Sequence, residues 1–144
     1  IRNSSMRQYA GSGFVLYNDS APFVEGNAFL NNHANAVEAP SPVGTTNFGF
    51  GNTATGNGTN VIKWTSGWTT ENATVKATGI PYLAAADMII RDGAILTIEP
   101  GVEIRFAPSA RLSNSTAISI AVRPLEPLST RIDSSCPSVR FSGP

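Results

Sequence analysis

The chain has 144 residues, ten basic and ten acidic side chains and a formal net charge of zero, and charged residues make up only 14% of it. That length suits one domain or a piece of a larger one, and the charge balance leaves no electrostatic footprint for nucleic acid or an anionic membrane. A hydrophobic fraction of 41% exceeds what a disordered chain carries, and no apolar run approaches the length of a membrane span.

The chain opens Ile1-Arg2-Asn3, without an initiator Met or a signal peptide, which fits a processed product or a segment of a longer polypeptide. From there the clearest feature is a repeat. Gly26-Asn27 recurs as Gly51-Asn52, Asn32 as Asn57, Asn35 as Asn60 and Val37 as Ile62, all at an offset of 25. Phe23 falls on Phe48 at the same offset, and Asn3 to Phe14 is a weaker copy near 24. Further along, Met88, Leu96, Ile104, Leu112, Ile120 and Leu128 are spaced by eight, with Ile90, Ile98 and Phe106 as a second series. Within each short segment the apolar residues alternate, which predicts strands with one buried face. Gly93 and Gly101 fall between segments, where sharp turns need permissive backbone.

Three strands at a spacing of eight make a coil of 24 residues, matching the offset found upstream. The predicted fold is all-β: a parallel β-helix, or solenoid, with about 24 residues and three short strands per coil. Aliphatic side chains stack inward and asparagines occupy corners. A β-sandwich would explain the alternation but not the position-specific Gly-Asn repeat. Coils are expected over 1–112, with insertions near 39–50 and 64–86 that leave four or five of them. Residues 113–144 break the pattern: glycine is absent until Gly143, while Pro124, Pro127 and Pro137 accumulate. This tail is an irregular coil that caps the solenoid, wraps its side or reaches a neighbour, and 138–142 reads as one outer strand.

The segment Asp87–Phe106, with its Leu-Thr-Ile-Glu-Pro-Gly-Val-Glu-Ile core, resembles a rung of the right-handed parallel β-helix proteins of the pectate-lyase-like superfamily. Ser20–Asn32 resembles another of their rungs, Pro-x-x-x-Gly-Asn-x-Phe-x-x-Asn. The resemblance implies a right-handed solenoid. It says little about activity, because that superfamily holds lyases, glycoside hydrolases, adhesins, surface-layer proteins and tailspikes.

The lyases of that group cluster acids for calcium beside a Lys or Arg base. Here Asp19, Asp87, Asp92 and Asp133 share no 24-residue spacing. Arg91, Asp92, Glu103 and Arg105 read as a solvated, salt-bridged face. Glu99 and Glu103 are the nearest thing to a hydrolytic carboxylate pair, and Glu99 sits in a Pro-Gly corner. His33, the one histidine, reads as an exposed corner residue, and no ligand set for zinc surrounds it in sequence. Thr53-Ala54-Thr55 is a single Thr-x-Thr, without the ladder an ice-binding face needs. No enzyme activity, catalytic residue, metal or cofactor is therefore expected.

Five sequons, at Asn3, Asn18, Asn57, Asn72 and Asn114, are candidate N-glycosylation sites. With a Ser/Thr/Asn-rich surface and only Lys63 and Lys76 as lysines, they suggest an extracellular or cell-surface location. Cys136 cannot form an intrachain disulfide, and reads as an idle thiol or a link to another chain. Trp64 and Trp68, with Tyr82, lie where the repeat is interrupted. The leading expectation is that they pack against the solenoid; they are also candidate sugar or subunit contacts, because aromatic faces stack on sugar rings and pack well at interfaces. Bare solenoid ends recruit other chains. The expected role is thus a structural subunit that assembles end to end (head-to-tail) with other copies of itself into a filament or surface layer. The alternative is a carbohydrate-binding or carbohydrate-processing domain of a larger surface protein.

Overall fold

The computed structural model describes residues 1–18, 20–114, 121–122 and 138–140. They wind into a parallel β-solenoid of about five turns, successive turns lying roughly 23 residues apart. The first coil holds β1 (Ser5–Arg7) and β2 (Phe14–Val15), the second β3 (Ala28–Leu30) and β4 (Asn35–Ala39), and the third β5 (Thr53–Thr55) and β6 (Thr59–Trp64). The fourth holds β7 (Trp68–Thr69), β8 (Ala73–Val75) and β9 (Tyr82–Ala84), and the fifth β10 (Met88–Ile90), β11 (Leu96–Ile98) and β12 (Glu103–Phe106). Beyond it lie β13 (Leu112–Asn114), β14 (Ala121–Val122) and β15 (Ser138–Arg140).

One sheet runs the whole length, in the order β2-β4-β6-β9-β12-β15. Its inward column is Phe14, Val37, Ile62, Tyr82 and Ile104, each directly over the next. The neighbouring column is Ala39, Trp64, Ala84 and Phe106. Large and small side chains thus alternate, so Trp64 gains its volume from the two alanines above and below it, the jigsaw complementarity that dense cores require. The spacing of eight holds in the fifth coil: Met88, Leu96 and Ile104 are all buried, as are Ile90 and Ile98. The predicted pairing of Val37 with Ile62 holds as well. The pairing of Phe23 with Phe48 is off by one: Val24 bridges Phe48, and Phe23 points outward.

The corners explain the Gly-Asn repeat. Residues 3, 26 and 51 have positive φ, and so do 8, 31 and 56. The residues that follow, Asn27 and Asn52 at one corner and Asn32 and Asn57 at the other, point their amides along the stack. Asn52 Oδ1 accepts from the backbone N–H and the Nδ2 of Asn27, both at 3.1 Å. Asn57 Oδ1 accepts from the same two groups of Asn32 at 3.0 and 2.7 Å. In the first coil Ser4 and Tyr9 hold these positions and donate only backbone N–H groups to Asn27 and Asn32. Each ladder therefore ends at the first coil.

The cross-section changes midway. β1, β3 and β5 form a three-stranded sheet confined to the first three coils. β7, β10 and β13 form another, and β8, β11 and β14 a third, both confined to the later coils. Asn52 N–H bonds Thr78 O, which places 78 over 52. Ten residues separate Asn52 from Ile62, but only four separate Thr78 from Tyr82, the partner of Ile62. The later coil therefore has no chain left to cover β5. The stretch 39–50, expected as an insertion, holds a 3₁₀ turn at Val43–Thr45. The stretch 64–86, also expected to interrupt the repeat, instead carries β7, β8 and β9 as a full coil. β15 lies antiparallel on β12, so the predicted outer strand forms but runs against the direction of the others.

Candidate interaction surface

Trp64, Trp68 and Tyr82 do not share a surface. Trp64 and Tyr82 are buried and stack on each other at 4.8 Å between ring centroids. Their polar atoms are used inside: Trp64 Nε1 donates to Thr45 Oγ1 at 3.3 Å, and Tyr82 OH donates to Lys76 O at 2.9 Å. Burial drives the Tyr82 hydroxyl far above the ordinary tyrosine range, with Glu99 adding to the rise against the pull of its hydrogen bonds. Trp68 alone is outside, 56% exposed, with the Arg91 guanidinium 5.8 Å from its ring centroid. The alternation of β6 and β7 decides this split, since Trp64 faces in and Trp68 faces out.

The sequons divide in the same way. Asn3, Asn18 and Asn72 are exposed, although Asn72 Oδ1 accepts the Ile95 N–H at 2.8 Å. Asn57 is buried, and its Nδ2, the atom a glycan would take, donates to Phe29 O and Asn60 Oδ1 at 2.9 and 2.8 Å. The side chain of Asn114 lies outside the described residues, as does Cys136.

Among the described residues, five of the eight exposed large hydrophobic side chains lie in or beside the first coil, where sequence reasoning named only a repeat-like rung. Ile1, Tyr9, Val15, Tyr17 and Phe23 are all exposed, Tyr17 at 80%. Arg2 pairs with Glu25 at 3.2 Å and lies 5.8 Å from the Phe23 centroid. Among the described residues β1 pairs only with β3, and β2 only with β4, so each leaves one backbone edge open. The run Phe14-Val15-Leu16-Tyr17 carries a signal for this: apolar side chains occupy both alternating sets, so some of them must face outward.

The candidate chemistry is scattered. Glu103 pairs with Arg105 at 2.9 Å. Asp87 Oδ1 accepts the Arg111 N–H, and His33 is an exposed corner residue. Among the described residues no three His, Cys, Asp or Glu side chains converge as metal ligands would. A shallow cleft of about 170 Å³ runs along residues 77–82 and 101–103, with Glu103 as its one acidic side chain. No helix of the described residues is long and apolar enough to cross a membrane. No protein-family profile, curated protein or solved structure matches the chain.

Proposed function

We propose that the chain is a non-catalytic structural module of the extracellular surface, a β-helix of the pectate-lyase-like type that associates with other copies of itself through its ends. The observation that carries this reading is the first coil: two open strand edges beside exposed Val15, Tyr9 and Tyr17. An open edge offers backbone donors and acceptors to any strand that can align with it. Among the described residues, the six-stranded sheet ends on β2 at one side and β15 at the other, so a head-to-tail joint would continue that sheet. Such heterologous contact builds an open filament when the rotation does not close, and zero net charge removes long-range repulsion between copies. The exposed sequons Asn3, Asn18 and Asn72 support the extracellular setting.

Sedimentation and electron microscopy over a wide concentration range test the proposal. Association is expected, and Val15→Lys with Tyr17→Lys should reduce it, since edge lysines oppose strand addition. A chain that stays monomeric throughout refutes it. Trp68 favours a second reading, glycan binding, because it is the one member of the aromatic trio left exposed beside a guanidinium. Glycan binding that survives Trp68→Ala would refute this second reading.

A further inference from the structure

We infer that Asn57-Gly58 is a modification site gated by the fold: a self-cyclising amide that the native ladder holds shut, and that converts to aspartate or isoaspartate when the corner after β5 opens. Asn57 is the only asparagine in the chain followed by glycine. That pairing is the most permissive for intramolecular attack, because no side chain shields the following backbone nitrogen. The Gly58 nitrogen bonds to the Asn57 side-chain carbonyl carbon, and the side-chain amide leaves as ammonia, carrying the proton released from the attacking nitrogen. One water then opens the cyclic imide at either carbonyl.

The fold itself demands this reactive pair. A Cβ at residue 58 would collide with His33 O and would sit 2.9 Å from Ala34 O, so the close approach of two coils requires glycine. Residue 57 must both donate and accept along the ladder, so it must be an amide. In the folded state both reacting groups are engaged. Gly58 N–H donates to Asn32 O at 2.9 Å. Asn57 Oδ1 takes two bonds from Asn32, and its Nδ2 gives two, to Phe29 O and Asn60 Oδ1.

Asn57 is also the rung with the least behind it. β5 is the last strand of its sheet, and no coil above supplies the next amide. Asn60, three residues along the same coil, stands in for it, accepting from Asn57 N–H and Nδ2 at 3.1 and 2.8 Å. These bonds mimic those that Asn57 makes to Asn32 one coil below. A carboxylate at 57 could still accept from Asn32 but would set oxygen against Phe29 O and Asn60 Oδ1. Modification is therefore a one-way unlatching of the corner.

Peptide mapping by mass spectrometry tests this, following deamidation and isoaspartate at Asn57 in the folded protein, in urea-unfolded protein and in folded Asn60→Ala. The folded protein should react at least about tenfold more slowly than the unfolded chain. Asn60→Ala should raise the folded rate roughly thirtyfold, the factor expected for two lost hydrogen bonds. Equal rates in folded and unfolded protein overturn the inference, and so does a folded Asn60→Ala that reacts no faster than the parent. Should Asn60→Ala fail to fold, the parent in sub-denaturing urea decides. Modification that climbs well before global unfolding supports local opening at this corner, and modification that climbs only with global unfolding overturns it.

Discussion

Asn52→Ala should be among the most damaging changes at any polar position of the described residues. The side chain is 2% exposed. Its Oδ1 accepts two bonds from Asn27 at 3.1 Å, and its Nδ2 donates to Val24 O at 3.1 Å and Gly49 O at 2.8 Å. Removing it breaks all four. Two of the partners keep another bond: Val24 O still accepts Gly49 N–H, and Asn27 Nδ2 still donates to Ile1 O. At about 1 kcal/mol per bond, with part of the loss offset in this way, the cost is about 3 kcal/mol, a large share of a stability of about 5–15 kcal/mol. Asn47→Ala is the control, because it removes one half-buried bond, Nδ2 to Ala21 O at 2.8 Å, for about 1 kcal/mol. Urea unfolding followed by circular dichroism reads both. A double-mutant cycle with Asn27→Ala should show coupling of about 1–2 kcal/mol through the two shared bonds. If Asn52→Ala costs no more than Asn47→Ala, the ladder does not carry the stability assigned to it.

Three further outcomes follow from the same geometry. Trp64→Ala should cost about 3–5 kcal/mol in urea unfolding, because it empties a column whose neighbours Ala39 and Ala84 cannot fill the gap, whereas Trp68→Ala should cost about 1 kcal/mol or less. The folded Tyr82 hydroxyl is held above its unfolded value near 10, so its contribution is complete below about pH 10 and is lost as pH rises beyond that. Alkaline unfolding of Tyr82→Phe should therefore be shallower than that of the parent, while at neutral pH the variant gives up about 1 kcal/mol for the bond to Lys76. Gly58→Ala should lose about 1–3 kcal/mol through its clash with the coil below. Gly11→Ala, where a Cβ meets nothing within 4 Å, should be neutral or gain about 0.4–1 kcal/mol, and thermal melts of the pair compare them directly.

The corners and the inward columns were legible because a stacked coil imposes them locally. A left-handed corner restricts its residue, the next residue must bond along the stack, and a half-buried strand must alternate. Gly26-Asn27, Gly51-Asn52 and the series from Met88 to Ile104 record those demands at fixed spacing. Phe23-Val24 misled by one residue, because two adjacent apolar side chains fit either phase and only the bridge from Val24 to Phe48 chooses between them. The split within the aromatic trio was not legible for a related reason. Its members are close in sequence, but facing in or out is decided by what lies one coil away.

From the amino-acid sequence alone come the all-β class, the coil length, the corner asparagines and the low, balanced charge, since each rests on spacing or composition. Only the tertiary structure decided that Trp64 is core and Trp68 surface, that one sheet ends at β5 while others begin at β7 and β8, that Asn60 closes the ladder for want of a covering coil, and that β15 runs antiparallel. These depend on how many residues one coil spends relative to its neighbour, a comparison made in space across the stack. The low share of charged residues, 14%, then takes on its structural meaning: the corner ladders are built from uncharged amides, bonded to the neighbouring coil or, for Asn57, also to Asn60 of its own coil.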